Sequence, residues 1–370
     1  MKAGDEFVVL ITGGRSPVAL EMCRIFGREG ARVIVAESSG GFLCQASRFV
    51  AAFHKVPSPR FQTEAYVSAL LEIMREEGVD LLVPTCEEVF YISRFRERLT
   101  EAGRVFAPDF ACIEALHRKD CFVEWAAEIG LPVPWTALCG EAVLGGLSKV
   151  DRFVLKPVYS RFGCETILRQ GSDIALANDG RAWVVQEFLE GEELHSYAIA
   201  QDGRILQSVF YRGLAKEGAM GPSLAFEEVD CPAGDAWVRR FVEEIGFTGQ
   251  IAFDFILGVD GVARAIECNP RATSGLHLLS EGSGVYDAIV VGISGETRKR
   301  KLPNKGLLLP SLLSGAKGDF EDVVFRWDDP LPAMAQFLTL AYFGGLALRS
   351  RRSLAAEMVH DFCWNGGAIE

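Results

Sequence analysis

From Phe7 to Thr12 the chain is apolar and rich in β-branched residues, and the run ends at Gly13-Gly14-Arg15-Ser16-Pro17. This pattern predicts a buried strand, a tight turn, and a helix to about Arg28 with Ser16 as N-cap and Pro17 at its first position. Arg32–Ala36 reads as a second strand. Helical spacing follows from about Thr63 to Glu76, a strand at Asp80–Pro84, a helix from about Glu87 to Glu101, and a strand at Arg104–Ala107. Alternating strands and helices predict a parallel, doubly wound α/β unit over residues 1–112.

Ala115–Gly130 has the spacing of one amphipathic helix, stopped by Gly130 and Leu131-Pro132-Val133-Pro134. Beyond Val150 the texture changes. Short strands at Arg152–Lys156, Trp183–Phe188, Ser196–Ala200 and Arg204–Tyr211 suggest antiparallel pairing, with a hairpin turn at Gln201-Asp202-Gly203-Arg204. A helix at Trp237–Gly246 and two strands flanking Gly258-Val259-Asp260-Gly261 complete an α+β region. The expected organisation is α/β then α+β, divided at 1–112, 113–185, 186–300 and 301–370. There is no internal repeat.

The chain has 370 residues, 49% of them hydrophobic and 24% charged, as expected of two or three globular units. Its formal net charge of −12 argues against wrapping nucleic acid or anionic membrane. Ten cysteines are scattered without a CxxC pair or zinc-ligand spacing. Free thiols and a start that is no signal peptide point to a cytoplasmic protein. Ala333–Leu348 carries no charge but is short for a membrane span, so a buried helix is expected.

The strongest chemical signal is the hairpin around Asp260-Gly261. A two-residue turn there would set Asp254 directly across from Glu267, a repulsive pair unless a cation lies between them. Asn269 follows on the same face and Arg271 extends the row. These oxygens suit Mg²⁺, and Arg271 suits a phosphoryl group or carboxylate; the bland alternative is a solvated strand face. Lys156 ends an apolar strand before a turn, well placed either for a phosphate or for solvent. Gln186-Glu187-Phe188-Leu189 leaves a strand where free backbone groups could pair with a purine edge, with Glu193 as a ribose acceptor; otherwise it is an acidic loop. His117-Arg118-Lys119-Asp120, in the first turns of a helix, offers basic groups to polyphosphate or to solvent.

In this order the fragments resemble the ATP-grasp superfamily, carboxylate–amine ligase type, over roughly residues 5–290. The resemblance implies that Lys119 and Lys156 contact ATP phosphates. Glu187 and Leu189 would hold adenine through backbone atoms, with Gln186 before them and Phe188 between, and Glu193 would hold ribose. Asp254, Glu267 and Asn269 would ligate Mg²⁺, with Mn²⁺ as an alternative ion, and Arg271 would stand at the transfer centre. The family's glycine-rich loop is reduced to one glycine in Tyr159-Ser160-Arg161-Phe162-Gly163-Cys164, so Arg161 is an alternative source of charge.

The expected activity is ADP-forming ligation of a small carboxylate to an amine or thiol through an acyl phosphate. Alternatives are a carboxylase-like relative activating bicarbonate or a purine precursor, a non-catalytic ATP-binding regulator, and a nicotinamide-dependent oxidoreductase. Gly13–Pro17 lacks both GxGxxG and P-loop spacing, against the last. Glu87 and Glu88 read as first-turn helix acids rather than cleft residues. His195 and His277 are expected to make ordinary core or surface hydrogen bonds. Ser208–Phe226 reads as a mobile segment, 301–370 as a lid, dimer contact or surface patch. Relatives are often dimeric, which makes a homodimer one expectation.

Overall fold

The computed structural model describes residues 6–40, 42–139, 152–161, 165–170, 180–216, 223–279, 284–294, 303–314 and 319–369. Of the sequence expectations, Phe162-Gly163-Cys164 and Gly218–Gly221 lie outside the described residues.

Five strands build the first sheet: β1 (Val8–Thr12), β2 (Arg32–Glu37), β3 (Val50–Lys55), β4 (Leu81–Val83) and β5 (Arg104–Val105). All pair in parallel, in the order β3-β2-β1-β4-β5. Alternate residues of β1 face opposite sides. Val9 and Ile11 join Leu20, Cys23 and Phe26 of helix α1 (Pro17–Arg28), while Val8 and Leu10 join the core that holds Tyr66, Leu70 and Met74 of helix α2 (Thr63–Glu76). Helices therefore cover both faces, which is why the inner strands β1 and β4 are apolar and buried. Gly13, at φ +80°, makes the turn after β1, and a Cβ there would fall 2.6 Å from Thr85 Oγ1. Ser16 Oγ accepts from Ala19 N at 3.1 Å, fixing the start of α1.

The second sheet has the order β6-β9-β7-β8 from Thr136–Leu138 (β6), Arg152–Pro157 (β7), Ile167–Gln170 (β8) and Trp183–Glu187 (β9), all antiparallel. The third runs β14-β13-β10-β11-β12-β15-β16. Its strands are β10 (Glu192–Gln201), β11 (Arg204–Lys216), β12 (Ser223–Glu228), β13 (Gly249–Leu257), β14 (Ala263–Asn269), β15 (Lys305–Gly306) and β16 (Glu321–Asp322). Of the span Ser208–Phe226, expected to be mobile, residues 208–216 and 223–226 lie in the paired strands β11 and β12, with Tyr211 opposite Glu228 and Arg212 opposite Glu227, and residues 217–222 lie outside the described ones.

Two expectations fail. The helix expected over Ala115–Gly130 is broken: Phe110–His117 ends and Lys119–Glu128 begins at Arg118, whose ψ of 117° is extended. The break lets Arg118 turn back to Asp120 at 2.7 Å and drives Lys119 inward. The uncharged stretch forms the helix Leu331–Ser350, but only a narrow row at Ala335, Thr339, Phe343 and Ala347 is buried with Pro332. Leu331, Met334, Phe337, Leu338 and Leu348 face outward. By length and composition this helix could cross a membrane.

The C-terminal region is anchored to the first sheet. Arg24 of α1 is fully buried, donating to Asp329 Oδ2 at 2.9 Å, Val323 O at 2.9 Å and Val324 O at 2.7 Å.

Candidate functional site

The β13–β14 hairpin closes through a longer loop than two residues, with Gly258 N bonded to Val262 O at 3.1 Å. Near the turn Phe255 pairs with Ala265; a bulge then restores the offset, so that Asp254 faces Glu267 and Ala252 faces Asn269. The expected opposition of carboxylates holds, for a reason the turn alone does not give. On the other side of β13, Asp254 pairs with His195 of β10, which pairs with Tyr211 of β11. One row thus crosses four strands: Tyr211, His195, Asp254, Glu267.

Each member of the row is engaged. His195 Nδ1 lies 2.6 Å from Asp254 Oδ1 and its ring stacks on Tyr211 at 5.2 Å. Burial pushes the Asp254 carboxyl up, but the His195 hydrogen bond and the charges of Lys156 and Arg271 outweigh it, holding the group below its ordinary value. Asn269 Nδ2 donates to Asp254 Oδ2 at 3.3 Å, and Asn269 Oδ1 accepts from Arg271 Nη2 at 3.1 Å. Lys119 Nζ stands 3.6 Å from Glu267 Oε1 and donates to Ser160 O at 3.4 Å. The repulsion between facing carboxylates is therefore offset by cations on both sides.

Lys156, on β7, is buried and donates to Gln186 Oε1 of β9 at 2.9 Å. Gln186 Nε2 in turn donates to Thr136 Oγ1 at 3.1 Å and to Ile266 O, tying the second sheet to the third. Burial lowers Lys156 to about 8, and neighbouring Lys119 pushes the same way against Glu267, Asp254 and Glu193. β9 ends at Glu187, whose N–H donates to Trp135 O at 2.8 Å. Phe188 lies under the Arg152 guanidinium at 4.2 Å, and Leu189 continues the segment that leaves the sheet. Glu193 is half-exposed, with Oε1 3.6 Å from His195 Nε2.

The structure also corrects three readings. His117 supplies no charge: burial lowers it to about 3 despite Glu87, and it packs against Phe90 at 4.8 Å and Tyr159 at 5.6 Å. Glu87 is no exposed helix acid. It is buried and paired with Arg161, with Arg271 Nε 3.8 Å away, and although burial raises it these guanidiniums lower it to about 2. Glu88 turns its Oε1 back to Thr12 Oγ1 at 2.7 Å and to the N–H groups of Thr85 and Cys86, and burial holds it above its ordinary value. His195, Glu87 and Arg161 join the site through pairings distant in sequence; the loop motif marked Arg161 as a source of charge, but no local motif marked Glu87 or His195 as its neighbours.

Hard oxygens from Asp254, Glu267 and Asn269, on one face beside two buried lysines, fit Mg²⁺ as donors. Among the described residues no three His, Cys, Asp or Glu side chains gather closely enough to hold a metal unaided. Phosphate oxygens and water would have to complete the shell. A cavity of about 610 Å³ lies elsewhere, lined by Arg104, Phe106, Gln201, Gly246 and Thr248.

No protein-family model and no curated protein matches the chain. Solved structures do. The N5-carboxyaminoimidazole synthetase of Staphylococcus aureus, complexed with ADP, is 14% identical with a TM-score of 0.61, over 81% of this chain and 82% of that one. The biotin carboxylase domain of the Hydrogenobacter thermophilus 2-oxoglutarate carboxylase, a dimer with MgADP, ADP and bicarbonate, is 13% identical with a TM-score of 0.62, over 81% and 74%. The L-amino acid ligase of Bacillus licheniformis is 17% identical with a TM-score of 0.55, over 78% and 72%. The similarity to these enzymes, together with the order of motifs along the sequence, identifies the fold of this chain as ATP-grasp.

Proposed function

We propose that the protein is an ATP-dependent, ADP-forming ligase that activates a small carboxylate and joins it to an amine. The observation that carries this reading is the facing pair Asp254 and Glu267, flanked by Lys119, Lys156 and Arg271. Such a row has little structural merit by itself, because facing carboxylates repel. It is well suited to a nucleotide triphosphate with a divalent cation.

In the proposed reaction a substrate carboxylate oxygen attacks the γ-phosphorus of ATP, the bond to the β–γ bridging oxygen breaks, and ADP leaves. The amine then attacks the acyl phosphate, phosphate departs, and the amine loses a proton. Asp254, Glu267 and Asn269 would hold Mg²⁺, which neutralises phosphate charge when bound. Lys119 and Lys156 would hold the phosphates from the opposite side, and Arg271 would orient the incoming carboxylate. Glu187 and Leu189 would meet the adenine through backbone groups with Phe188 between them, and Glu193 would meet the ribose.

A carboxylase-like variant, in which bicarbonate is the acid activated, uses the same groups. It draws support from the similarity to a biotin carboxylase solved with bicarbonate. A nicotinamide enzyme draws none: Glu37, at the end of β2, already accepts from Arg15 N at 2.9 Å, Arg15 Nε at 3.1 Å and Ser39 N at 2.8 Å.

Calorimetric titration with ATP, with and without Mg²⁺ and with NAD as control, tests the reading. Binding of ATP that strengthens with Mg²⁺, followed by ADP release from a panel of acids and amines, is the expected result. ATP binding without turnover on any acid would leave a nucleotide-binding regulator; no ATP binding would sink both.

A further inference from the structure

Ligands of open α/β sheets gather at the carboxyl ends of the strands, where the strand order reverses. Here that place lies between β1 and β4, and the chain's own C-terminal residues fill it. Beyond the helix Leu354–Val359 the segment crosses the strand ends in turn. Arg15, after β1, donates to Asp361 at 2.6 Å, and Ser38, after β2, does so at 2.8 Å. Past β3, Arg60 N donates to Asp361 O at 3.1 Å; past β4, Tyr91 donates to Cys363 O at 3.2 Å and Glu87 accepts from Trp364 N at 3.3 Å.

The segment then bridges to the ATP-grasp side. Arg161 donates to Trp364 O at 2.5 Å and to Asn365 Oδ1 at 2.7 Å, while the Trp364 ring stacks on Phe90 at 5.0 Å and meets Tyr159 edge-on at 5.3 Å. Phe362 lines a hollow of about 10 Å³ together with Gly13, Glu37 and Glu88. That is room for about one water. Of the charged groups at the junction, Arg271 keeps 24% of its side chain accessible, against 12% for Arg161 and 4% for Glu87.

We propose that residues 360–369 are the specificity wall of the acceptor site. They replace the strand-end pocket with protein, leave Arg271 as the reachable guanidinium, and so restrict the activated acid to a compact carboxylate of amino-acid size or smaller. This rests on the ligase reading. Trp364 and Phe362 are the size-determining side chains; they act by occupying space and take no part in the chemistry.

The test compares ADP release with Mg-ATP for acetate, bicarbonate, glycine and glutamate against orotidine 5′-phosphate, a carboxylate carried on a ribonucleotide. The wild type is expected to turn over compact acids and not the nucleotide. Phe362→Ala and Trp364→Ala should each shift the ratio of kcat/KM toward the bulky acid by tenfold or more. Phe362→Ala is the safeguard if Trp364→Ala fails to fold, because Trp364 belongs to the main core and Phe362 does not. Hydrogen exchange of residues 360–369 in the wild type supplies a second readout, with adenylyl imidodiphosphate and the best acid present. Unchanged protection supports a fixed wall; a rise in exchange on binding marks a displaceable flap and overturns it. A wild type that consumes ATP with compact and bulky acids alike overturns the wall alone. ATP binding without ADP release from any acid, in wild type and variants, overturns the ligase reading beneath it.

Discussion

Lys156 Nζ donates to Gln186 Oε1 at 2.9 Å, and both side chains are buried. A neutral amide is the only hydrogen-bond acceptor this ammonium has among the described residues, so burial dominates and lowers it to about 8. Its charge is then complete well below pH 8 and lost above it. ATP affinity should be flat near pH 7 and weaken as pH rises through 8, by roughly tenfold for the loss of one charged hydrogen bond. Glu267 raises Lys156, so Glu267→Gln should move the midpoint to lower pH. Calorimetry across pH 6.5–9.5 measures both; a flat profile would remove Lys156 from the phosphate site.

Glu267→Gln should also cut ADP release by about a hundredfold or more, as expected for loss of a charge that acts in the transition state. The fold should persist, since relief of the repulsion with Asp254 offsets the loss of the counterion of buried Lys119. A folded variant with unchanged turnover would contradict the metal assignment.

His195→Phe keeps the stack on Tyr211 and deletes the hydrogen bond to Asp254. Groups that orient a metal ligand are worth about 10–100-fold. The Mg²⁺ dependence of ATP binding should weaken by that factor, with a smaller change in Mg²⁺-free binding. Equal loss in both conditions would mean that His195 serves the nucleotide directly.

Asp329→Ala leaves Arg24 buried without its carboxylate. Breaking a buried pair costs roughly 3–5 kcal/mol. Denaturant unfolding should show a loss of this order, and the double variant Arg24→Met, Asp329→Leu should recover much of it. A loss below about 1 kcal/mol for Asp329→Ala would show that the pair is solvated in solution.

Much of this architecture is legible in the sequence wherever local pattern decides it. Ser16-Pro17 marks the start of α1, and the apolar spacing of Thr63–Glu76 marks α2 from end to end. The opposition of Asp254 and Glu267 follows from the hairpin, although the bulge that delivers it does not. β3 escapes notice because Val50–Lys55 is an edge strand with little buried surface and so no strong alternation. The break at Arg118 depends on what Lys119 reaches across the site, not on helix propensity. The seating of Trp364 among Phe90, Phe110 and Tyr159 has no local signature, because it is a contact between distant parts of the chain.

The Arg24–Asp329 pair spans 305 positions of sequence. At a synthesis rate of about 5–20 residues per second, roughly 15–60 seconds pass between the making of the cation and the making of its partner. During that interval α1 has no means of burying its guanidinium, so the first sheet emerges from the ribosome with one flank unfinished. Locking of the first-made layer is therefore a late event in the life of the nascent chain, completed only when the C-terminal segment folds back onto it.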